Sequence, residues 1–450
     1  MVGLTCAACH TGQIEYNKRG IRIDGGPAMI DTGAFQRQIG LALLLTHASG
    51  PRFSRFAGRV LGTAETPNTA EARALLHERL GTAITAGKAE ADLARREELY
   101  AVAEGFGRLD ALGRGGNFVF GTLLGDKRNF AVADGPVSYP ALWDAPWFEW
   151  VQYNGAIRQP MGRNVAEAMG VRSVVKLTGP PEDLYRATVR IQNIHDMEQL
   201  LAGPEPGAGL RSPRWPEDIL GPINRSAAER GQALYQRFCA SCHNGTWSPA
   251  PVTIGTSAEP PRRHLRLTMI PLSQIGTDPK AAVNFAARRV YRNPEDLTPI
   301  SAAEGLQQQT ANVIQRWYAD NEVPAEIRRA MDGYRPNDWR APEAYRARPL
   351  NGIWATAPYL HNGSVPSLYQ MLLPASERDV IFFTGSRQLD PKEVGFVKAP
   401  FKGAFRFDTS IPGNSNRGHE FRNTPKGEGV IGPELTADQR WELIEYLKTL

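Results

Sequence analysis

The stretch SAAERGQALYQRFCASCH, residues 226–243, joins a helix-forming pattern directly to a CxxCH motif. Ser226 and Glu229 stand at capping-box spacing, and apolar residues recur at helical intervals as far as Phe238. The pattern therefore predicts a helix that runs straight into Cys239. A second copy of the motif, CAACH, occupies residues 6–10, with only five residues before it.

Every cysteine of the chain belongs to one of these two motifs: Cys6, Cys9, Cys239 and Cys242. Two thiols at this spacing can form thioethers with the two vinyl groups of one porphyrin, and the adjacent histidine can bind its iron. We therefore expect two covalently bound haem c groups, with His10 and His243 as the proximal iron ligands. Two alternatives stay open: a four-cysteine zinc site, which leaves the histidines unexplained, and a thioredoxin-like redox pair, which needs a βαβ context.

The amino-acid composition and net charge exclude several classes of protein. Of the 450 residues, 42% are hydrophobic and 22% charged, which is apolar enough for packed cores and excludes a wholly disordered chain. The longest apolar run, from Ile39 to Leu45, is far shorter than the roughly 20 residues of a bilayer-crossing helix, so we expect no transmembrane segment. The net charge of +5 favours an acidic redox protein or an anionic surface as partner, but no basic block is dense enough to indicate nucleic acid.

A proline- and glycine-rich stretch, GPEPGAGLRSPRWPEDILGP at 203–222, divides the chain. We predict an N-terminal haem domain with an insertion over 1–205, a linker over 206–222 and a C-terminal cytochrome c-like haem domain over 223–450. In the closing segment TADQRWELIEYLKTL, Thr436 and Gln439 have capping-box spacing, which predicts a final helix. The expected fold is mainly α, with long irregular loops and little β structure.

The N-terminal part departs from the usual cytochrome pattern. No helix fits before Cys6, and no charged-then-apolar secretion signal is present. Covalent haem attachment normally takes place outside the cytoplasm, so we expect a periplasmic or secreted protein whose sequence here is truncated or processed, with an exposed or loosely held first haem. Further along, residues 69–84 and 89–107 predict two helices.

Two segments of the C-terminal part carry a family resemblance. NGIWATAPYLHNGSVPSLYQMLLP, residues 351–374, resembles the segment shared by bacterial dihaem cytochrome c peroxidases and their relatives, including MauG. PGNSNRGHEF, residues 412–421, together with the final helix, more narrowly resembles the dihaem rubber oxygenases of the RoxA type. With both CxxCH motifs the resemblance covers nearly the whole chain. It implies helical haem domains with long loops, and chemistry at one haem that the other supports.

The resemblance also implies a distal ligand for the second haem. In the oxygenases the histidine of the GHEF-like segment completes a bis-histidine haem, which corresponds to His419 here. His361 corresponds to a peroxidase histidine that lies near the haem without binding iron. Either His361 or a methionine, or no residue at all, remains an alternative ligand opposite His243. Two imidazole ligands leave no position for substrate, which suits an electron store.

At the first haem the distal side is expected to be open. The peroxidases place a distal histidine shortly after CxxCH, whereas no histidine occurs here between His10 and His47. The oxygenases line the open side with apolar and aromatic groups, and residues 143–164 are the candidate wall. We read His47, His77, His195 and His264 as surface or core histidines.

Four residues of this region are weaker candidates for the active site: Trp143, Trp150, Arg158 and Arg163. The two tryptophans could lie at a haem edge or between the haems, although core packing explains them equally well. The two arginines could bind haem propionates or oxygen species, with solvent exposure as the alternative.

Three functions follow from these features. The protein could be a dioxygenase that binds dioxygen at the His10 haem and cleaves a double bond of a hydrophobic small molecule or polymer. It could instead be a peroxidase or MauG-like enzyme that uses peroxide, with the His243 haem storing one oxidising equivalent. It could also be an electron carrier with both haems six-coordinate. The missing early histidine favours the dioxygenase over the carrier, and the sequence does not fix the substrate.

Overall fold

The computed structural model describes residues 4–63, 65–248 and 263–450. Helices hold 42% of the residues and strands 14%, so the protein is mainly α, as predicted. The strands in the described residues form separate two-stranded ladders instead of one extended sheet. Long irregular connections link these elements, in keeping with the high glycine and proline content.

The helices of the described chain are α1 (Thr32–Ala48), α2 (Gly50–Val60), α3 (Ala70–Arg96), α4 (Ala111–Gly116), α5 (Pro160–Gly170), α6 (Ile191–Ala202), α7 (Glu217–Leu220), α8 (Arg225–Phe238), α9 (Ala240–His243), α10 (Leu272–Ile275), α11 (Lys280–Ala287), α12 (Ala302–Asp320), α13 (Ala325–Met331), α14 (Leu368–Met371) and α15 (Ala437–Leu447).

The strands are β1 (Thr11–Tyr16), β2 (Arg19–Asp24), β3 (Arg108–Leu109), β4 (Val137–Ser138), β5 (Thr246–Trp247), β6 (Leu265–Arg266), β7 (Thr268–Pro271), β8 (Arg289–Val290), β9 (Ile300–Ser301), β10 (Ala344–Ala347), β11 (Ile381–Thr384), β12 (Leu389–Asp390), β13 (Gly395–Phe396), β14 (Phe405–Asp408), β15 (Glu420–Phe421) and β16 (Val430–Gly432). Antiparallel pairs join β1 to β2, β3 to β4, β5 to β6, β7 to β10, β8 to β9, β11 to β14 and β12 to β13, and β15 pairs with β16 in parallel.

The helix predicted to enter the second CxxCH motif is α8, which ends at Phe238, immediately before Cys239. Its cap differs from the prediction. Asn224 accepts the backbone N–H of Ala227 and also binds the Ser226 hydroxyl, so Ser226 lies inside the first turn and is not the cap. At the other end of the chain, α15 begins with the predicted capping box of Thr436 and Gln439.

Helices α8 and α15 cross at Gly231. A Cβ atom built on Gly231 would overlap the backbone carbonyl of Glu442, so the two helix backbones are in direct contact there. Leu443 and Ile444 of α15 have essentially no exposed surface beside this crossing. The crossing forms the base of the core that surrounds the second motif.

The N-terminal part contains one long helix where we predicted two. Helix α3 runs without a break from Ala70 to Arg96, and residues 97–107 are not helical. Gly87 lies in the middle of the helix in open space, so the helix continues through it. The helix stops where Glu98 adopts a left-handed backbone with φ of 49°, a common way for a helix to end.

Two apolar cores draw on residues from both sides of the predicted 206–222 linker. The first joins Ile14 and Ile23 of the N-terminal hairpin to α8 and α15, and it includes Trp215 of the linker itself. The second joins α5 to α12. The proposed domain boundaries stay a prediction. In the ranges that the structure describes, no helix has both the length and the apolarity needed to cross a bilayer.

The contact at Gly231 leads to the first prediction. Gly231→Ala should lower the free energy of unfolding by about 2 kcal/mol, because the added methyl group forces two helix backbones apart. Denaturant unfolding followed by circular dichroism measures this change. Gly87→Ala is the matched control: it also replaces a glycine within a helix, and it should raise stability by up to about 1 kcal/mol. Equal effects of the two substitutions would contradict the close crossing.

Candidate haem sites

The two CxxCH motifs adopt the same local turn. The backbone N–H of His10 donates to the carbonyl of Cys6 at 3.0 Å, and that of His243 donates to the carbonyl of Cys239 at 3.0 Å. The first turn continues the 3₁₀ segment Cys6–Ala8, and the second is α9, which follows α8. In both motifs a single turn therefore presents two thiols and one imidazole from adjacent positions.

Each motif histidine is oriented by a distant backbone carbonyl. The Nδ1 of His10 lies 2.9 Å from the carbonyl oxygen of Pro140, and the Nδ1 of His243 lies 2.7 Å from that of Arg348. With Nδ1–H donating to the carbonyl, the Nε2 lone pair is free to bind a metal, an arrangement typical of histidine ligands. Burial lowers the pKa of both imidazoles, which favours the neutral form that binds iron.

The four thiols are free and do not gather at one place. None of them forms a disulfide. Among residues 4–63, 65–248 and 263–450, no group of three or more histidine, cysteine or acidic side chains is arranged to hold a metal ion. The two cysteine pairs therefore do not build the four-cysteine zinc site that the sequence left open, and each pair remains available for thioether bonds.

The imidazole of His419 faces that of His243. Their ring centres are 6.0 Å apart, and the ring planes are inclined by 67°. Two imidazoles that each place a nitrogen about 2 Å from one metal ion have ring centres about 6 Å apart, so the gap fits a single iron between them. Burial, and secondarily the charge of His243, lowers the pKa of His419 to about 3. Its Nδ1 is buried without a hydrogen-bond partner.

The backbone on both sides of His419 is firmly held. Its N–H donates to the carbonyl of Ile275 at 3.0 Å, and its carbonyl accepts a hydrogen bond from Arg378 at 3.0 Å. The same buried guanidinium also donates to the carbonyls of Asn416 and Gly418. Arg378 thus fixes the loop that carries His419, and its charge is spread over backbone carbonyl dipoles.

His361 occupies a different environment. Its ring stacks on Tyr345 with centres 4.1 Å apart and meets the edge of Tyr153 at 6.1 Å. Burial, reinforced by the nearby charge of Arg108, lowers its pKa to about 3. His361 is therefore packed as a neutral ring among aromatic side chains, and the ring that the structure places opposite His243 is that of His419.

Helix α5 brings a polar cluster to the first motif. The carboxylate of Glu167 is the strongest charged influence on the Cys6 thiol, and Arg163 acts electrostatically on both Cys6 and His10. Gln152 donates from Nε2 to Oε1 of Glu167 at 3.2 Å. Burial raises the pKa of Glu167, although Arg163 opposes this effect. The Glu167 side chain itself is exposed to solvent.

Of the four weaker candidates, Arg163 is the one that the structure brings to the first motif. Its guanidinium pairs with the carboxylate of Glu198 on α6 in a buried ion pair. Arg158 instead pairs with Asp338 at 3.0 Å and with Glu149 at 3.4 Å. Met161 and Val165 of the candidate wall belong to the second core, and the assignment of residues 143–164 as the wall of the first haem stays a prediction.

The two tryptophans pack against different partners. Trp143 is 1% exposed within the first core, and its Nε1 donates to the carbonyl of Asn351 at 3.0 Å. The Trp150 ring lies under the guanidinium of Arg340 at 3.8 Å.

The remaining histidines are dispersed. His47 and His77 stack on each other with centres 4.1 Å apart, His264 lies 3.6 Å from Glu149, and His195 is on α6.

Sequence reasoning missed two sets of residues. Glu167 could have been found from its spacing, because Arg163 and Glu167 are four apart and share one helix face.

No spacing or motif in the sequence marks Arg346 and Arg348 as site residues. Burial lowers the pKa of both guanidinium groups, that of Arg346 to about 10. The Nη1 atom of Arg346 is buried and has no hydrogen-bond partner. In the described chain neither makes an ion pair. A buried cation of this kind needs an anion, and the propionates of a haem would supply one.

Comparisons with known proteins support a cytochrome. Residues 344–383 match a family model described as RoxA-like, cytochrome c-like. The chain is 46% identical over 465 residues to the uncharacterized protein y4iJ of Sinorhizobium fredii (strain NBRC 101917 / NGR234), a match that covers 100% of the chain and 77% of that protein. The uncharacterized protein y4iM of the same strain is 28% identical over 327 residues, which cover 69% of the chain and 63% of that protein. The cytochrome c-like domain implies haem c.

The facing imidazoles lead to the second prediction. If a haem at His243 takes His419 as its sixth ligand, His419→Ala should convert it from a six-coordinate low-spin to a high-spin ferric state, because one of two strong-field ligands is lost. Electron paramagnetic resonance and optical absorption of the ferric protein measure the change, and the signal of the other haem should stay as it is. His361→Ala is the comparison variant and should change the spectra less. The reverse ranking would show that His361 is the ligand.

Proposed function

Since the chain belongs to the same protein family as y4iJ of Sinorhizobium fredii, and since part of it matches a RoxA-like cytochrome c-like model, we propose that it is a dihaem c-type cytochrome oxidoreductase. Each CxxCH motif binds one haem, with His10 and His243 as proximal ligands. The haem at His10 is the catalytic centre, and the haem at His243 stores and transfers electrons. The two haem domains carry these two roles.

The observation that carries this proposal is the difference between the two sites. Opposite His243 stands a second imidazole at the spacing of a shared metal ion, and the loop that bears it is fixed by Arg378. An iron with two imidazole ligands has no open coordination position, which suits electron transfer. Near enough to the first motif to act electrostatically on it are Glu167, which raises the pKa of Cys6, and Arg163, which lowers it, both after the larger effect of burial. These groups can bind or protonate a reactant.

The proposed reaction is oxidation or cleavage of a hydrophobic substrate, a small molecule or a polymer, with dioxygen. When bound at His10, the haem supplies an iron centre for activating dioxygen. The chain contributes the orientation of His10 through the Pro140 carbonyl, a buried ion pair of Arg163 with Glu198, and the Glu167 carboxyl as the proton-transfer group of this proposal. Gln152 donates a hydrogen bond to Oε1 of that carboxyl.

The same carboxyl favours a second candidate, a peroxidase or MauG-like enzyme. Peroxide chemistry needs a group that takes a proton from one oxygen atom and returns it to the other. Glu167 Oε2 can perform both steps beside the first motif. In this case an electron donor is required as well, and an acidic redox protein suits the net charge of +5.

The location follows from the cofactor. Covalent haem attachment normally takes place outside the cytoplasm, so the proposal includes a periplasmic or secreted protein. Dioxygen or peroxide and a hydrophobic substrate must then reach the first haem from outside the cytoplasm, and the reducing partner must be present in the same compartment.

Carbon monoxide titration tests the assignment of the two sites. The ferrous protein should bind carbon monoxide at the His10 haem alone, because His419 occupies the distal face of the other haem. Optical difference spectra give the number of sites. The same protein should consume dioxygen with an unsaturated hydrophobic substrate and no added peroxide. Binding at neither haem, with both irons low-spin, would leave an electron carrier.

Glu167→Gln tests the role of this carboxyl group, and the oxidant that turnover requires separates the two enzymatic candidates. If peroxide is the oxidant, the rate of turnover with peroxide should fall on the order of 100-fold, because the glutamine amide cannot take up and return the proton of the peroxide. Stopped-flow or steady-state assays measure this rate. Glu182→Gln, a matched substitution in an exposed loop, is the control and should have no effect. Turnover that needs both peroxide and an electron donor, and that depends on Glu167, would replace the dioxygenase with the peroxidase.

A further inference from the structure

Helix α1 carries the longest apolar run of the chain on the surface of the protein. Five large apolar side chains of this helix are 38% to 50% exposed: Phe35, Ile39, Leu41, Leu44 and Leu45. Successive residues of a helix point about 100° apart, so Leu43, Leu44 and Leu45 lie on three different sides. A helix that is apolar all round is normally buried. Of the residues in α1, Thr32 at its first position is buried.

The next helix, α2, adds a row of positive charge. Arg52, Arg55 and Arg59 are exposed and lie three and four residues apart, which places them on one side of the helix. Ala57 faces the other way and is buried, whereas Phe56, four residues after Arg52, lies beside the row and is half-buried. No aspartate or glutamate occurs anywhere from residue 32 to residue 64.

The arginines of this region also differ from most other exposed arginines of the described chain in their lack of ion pairs. Arg37 of α1 and the three arginines of α2 make no salt bridge with any residue in the described ranges. Exposed arginines elsewhere are commonly paired, as Arg172 is with Glu90 at 2.6 Å. The combination leaves both exposed apolar surface and exposed positive charge without a counterpart.

The two helices are held in a fixed arrangement against α3. His77 of α3 stacks on His47 at the end of α1, and the ring of Phe53 in α2 meets the edge of His77 with centres 4.8 Å apart. At the start of α1, Thr32 lies within 3.4 Å of the hydroxyl of Tyr139. Tyr139 in turn lies beside His10, with ring centres 6.5 Å apart. The exposed surface thus begins next to the first motif.

We propose that α1 and α2, residues 32–60, form a docking surface for an anionic lipid bilayer. The arginines of α2 bind the lipid phosphates, and the leucines and Ile39 of α1 insert shallowly among the acyl chains. This inference rests on the two helices alone and does not depend on the reaction at the haems. Docking there would bring the first motif close to substrates dissolved in the membrane.

The chemistry of the surface selects the bilayer over other occupants. An uncharged hydrocarbon polymer would cover the leucines but leave the arginines unpaired. A second copy of the chain, joined through a two-fold axis, would bring like charges together. A bilayer with anionic headgroups meets both features at once.

Vesicle sedimentation of the full-length holoprotein tests the proposal. The protein should bind vesicles of equal parts phosphatidylcholine and phosphatidylglycerol, should not bind phosphatidylcholine alone, and should be released by high salt. R52Q/R55Q should weaken binding on the order of 10-fold. L41Q/L44Q should weaken it by a similar factor or more.

Two matched variants serve as controls. R211Q/R214Q and L200Q/L297Q change exposed residues of the same types outside the surface and should bind as the unaltered protein does. Haem absorption and circular dichroism show whether each variant is folded. Absence of binding to the anionic vesicles, equal binding to neutral vesicles, or equal losses in the control variants would overturn the proposal. Dimerisation in gel filtration that L41Q/L44Q abolishes would assign the surface to a second copy instead.

Discussion

Two hydrogen bonds between histidine side chains and distant backbone carbonyls set the constraint on which the rest of the structure depends. A CxxCH turn can place an imidazole near a porphyrin by itself, but it cannot orient the ring. The carbonyls of Pro140 and Arg348 do this, across 130 and 105 residues of chain respectively. The fold must therefore bring residue 140 to the first motif and residue 348 to the second. This requirement explains why neither core consists of one continuous stretch of sequence.

The segment around Arg348 links the two halves of the protein. Its strand, β10, pairs with β7, while Arg346 donates through Nε to the carbonyl of Gln152 at 2.7 Å. Gln152 is also the residue that binds Glu167 near the first motif. A few hydrogen bonds thus connect the segment that orients His243 with Gln152 and Glu167. A change in one site has a direct structural path to the other.

The buried arginines of the protein differ in how their charge is compensated. Arg163 has Glu198 as a partner, and Arg378 is surrounded by backbone carbonyls, so both are satisfied within the chain. Arg346 and Arg348 make no ion pair within the described residues, and the carboxylate that acts electrostatically on Arg348 is that of Asp144. Leaving such groups without an anion would cost several kcal/mol. Their presence is best explained by anionic groups that the polypeptide itself does not supply, and haem propionates have that chemistry.

The sequence alone determined the features that depend on short-range pattern. The CxxCH motifs, the helix that enters the second motif and the capping box of the last helix involve residues within a few positions of each other, so local geometry fixes them. The mainly α class follows from the same periodicity. The resemblance of the GHEF segment pointed to His419, whose ring does lie opposite His243.

Only the tertiary structure decided which distant groups meet. Glu167 comes within electrostatic reach of Cys6 because the packing of α5 against α12 sets the position of the helix that carries it. No spacing in the sequence connects residue 6 to residue 167. Helix α3 likewise continues through Gly87, which has open space around it. The helix propensity of the local sequence does not reveal this. Long-range contacts are set by the packing of whole elements, and for that reason sequence pattern predicts the elements better than the site between them.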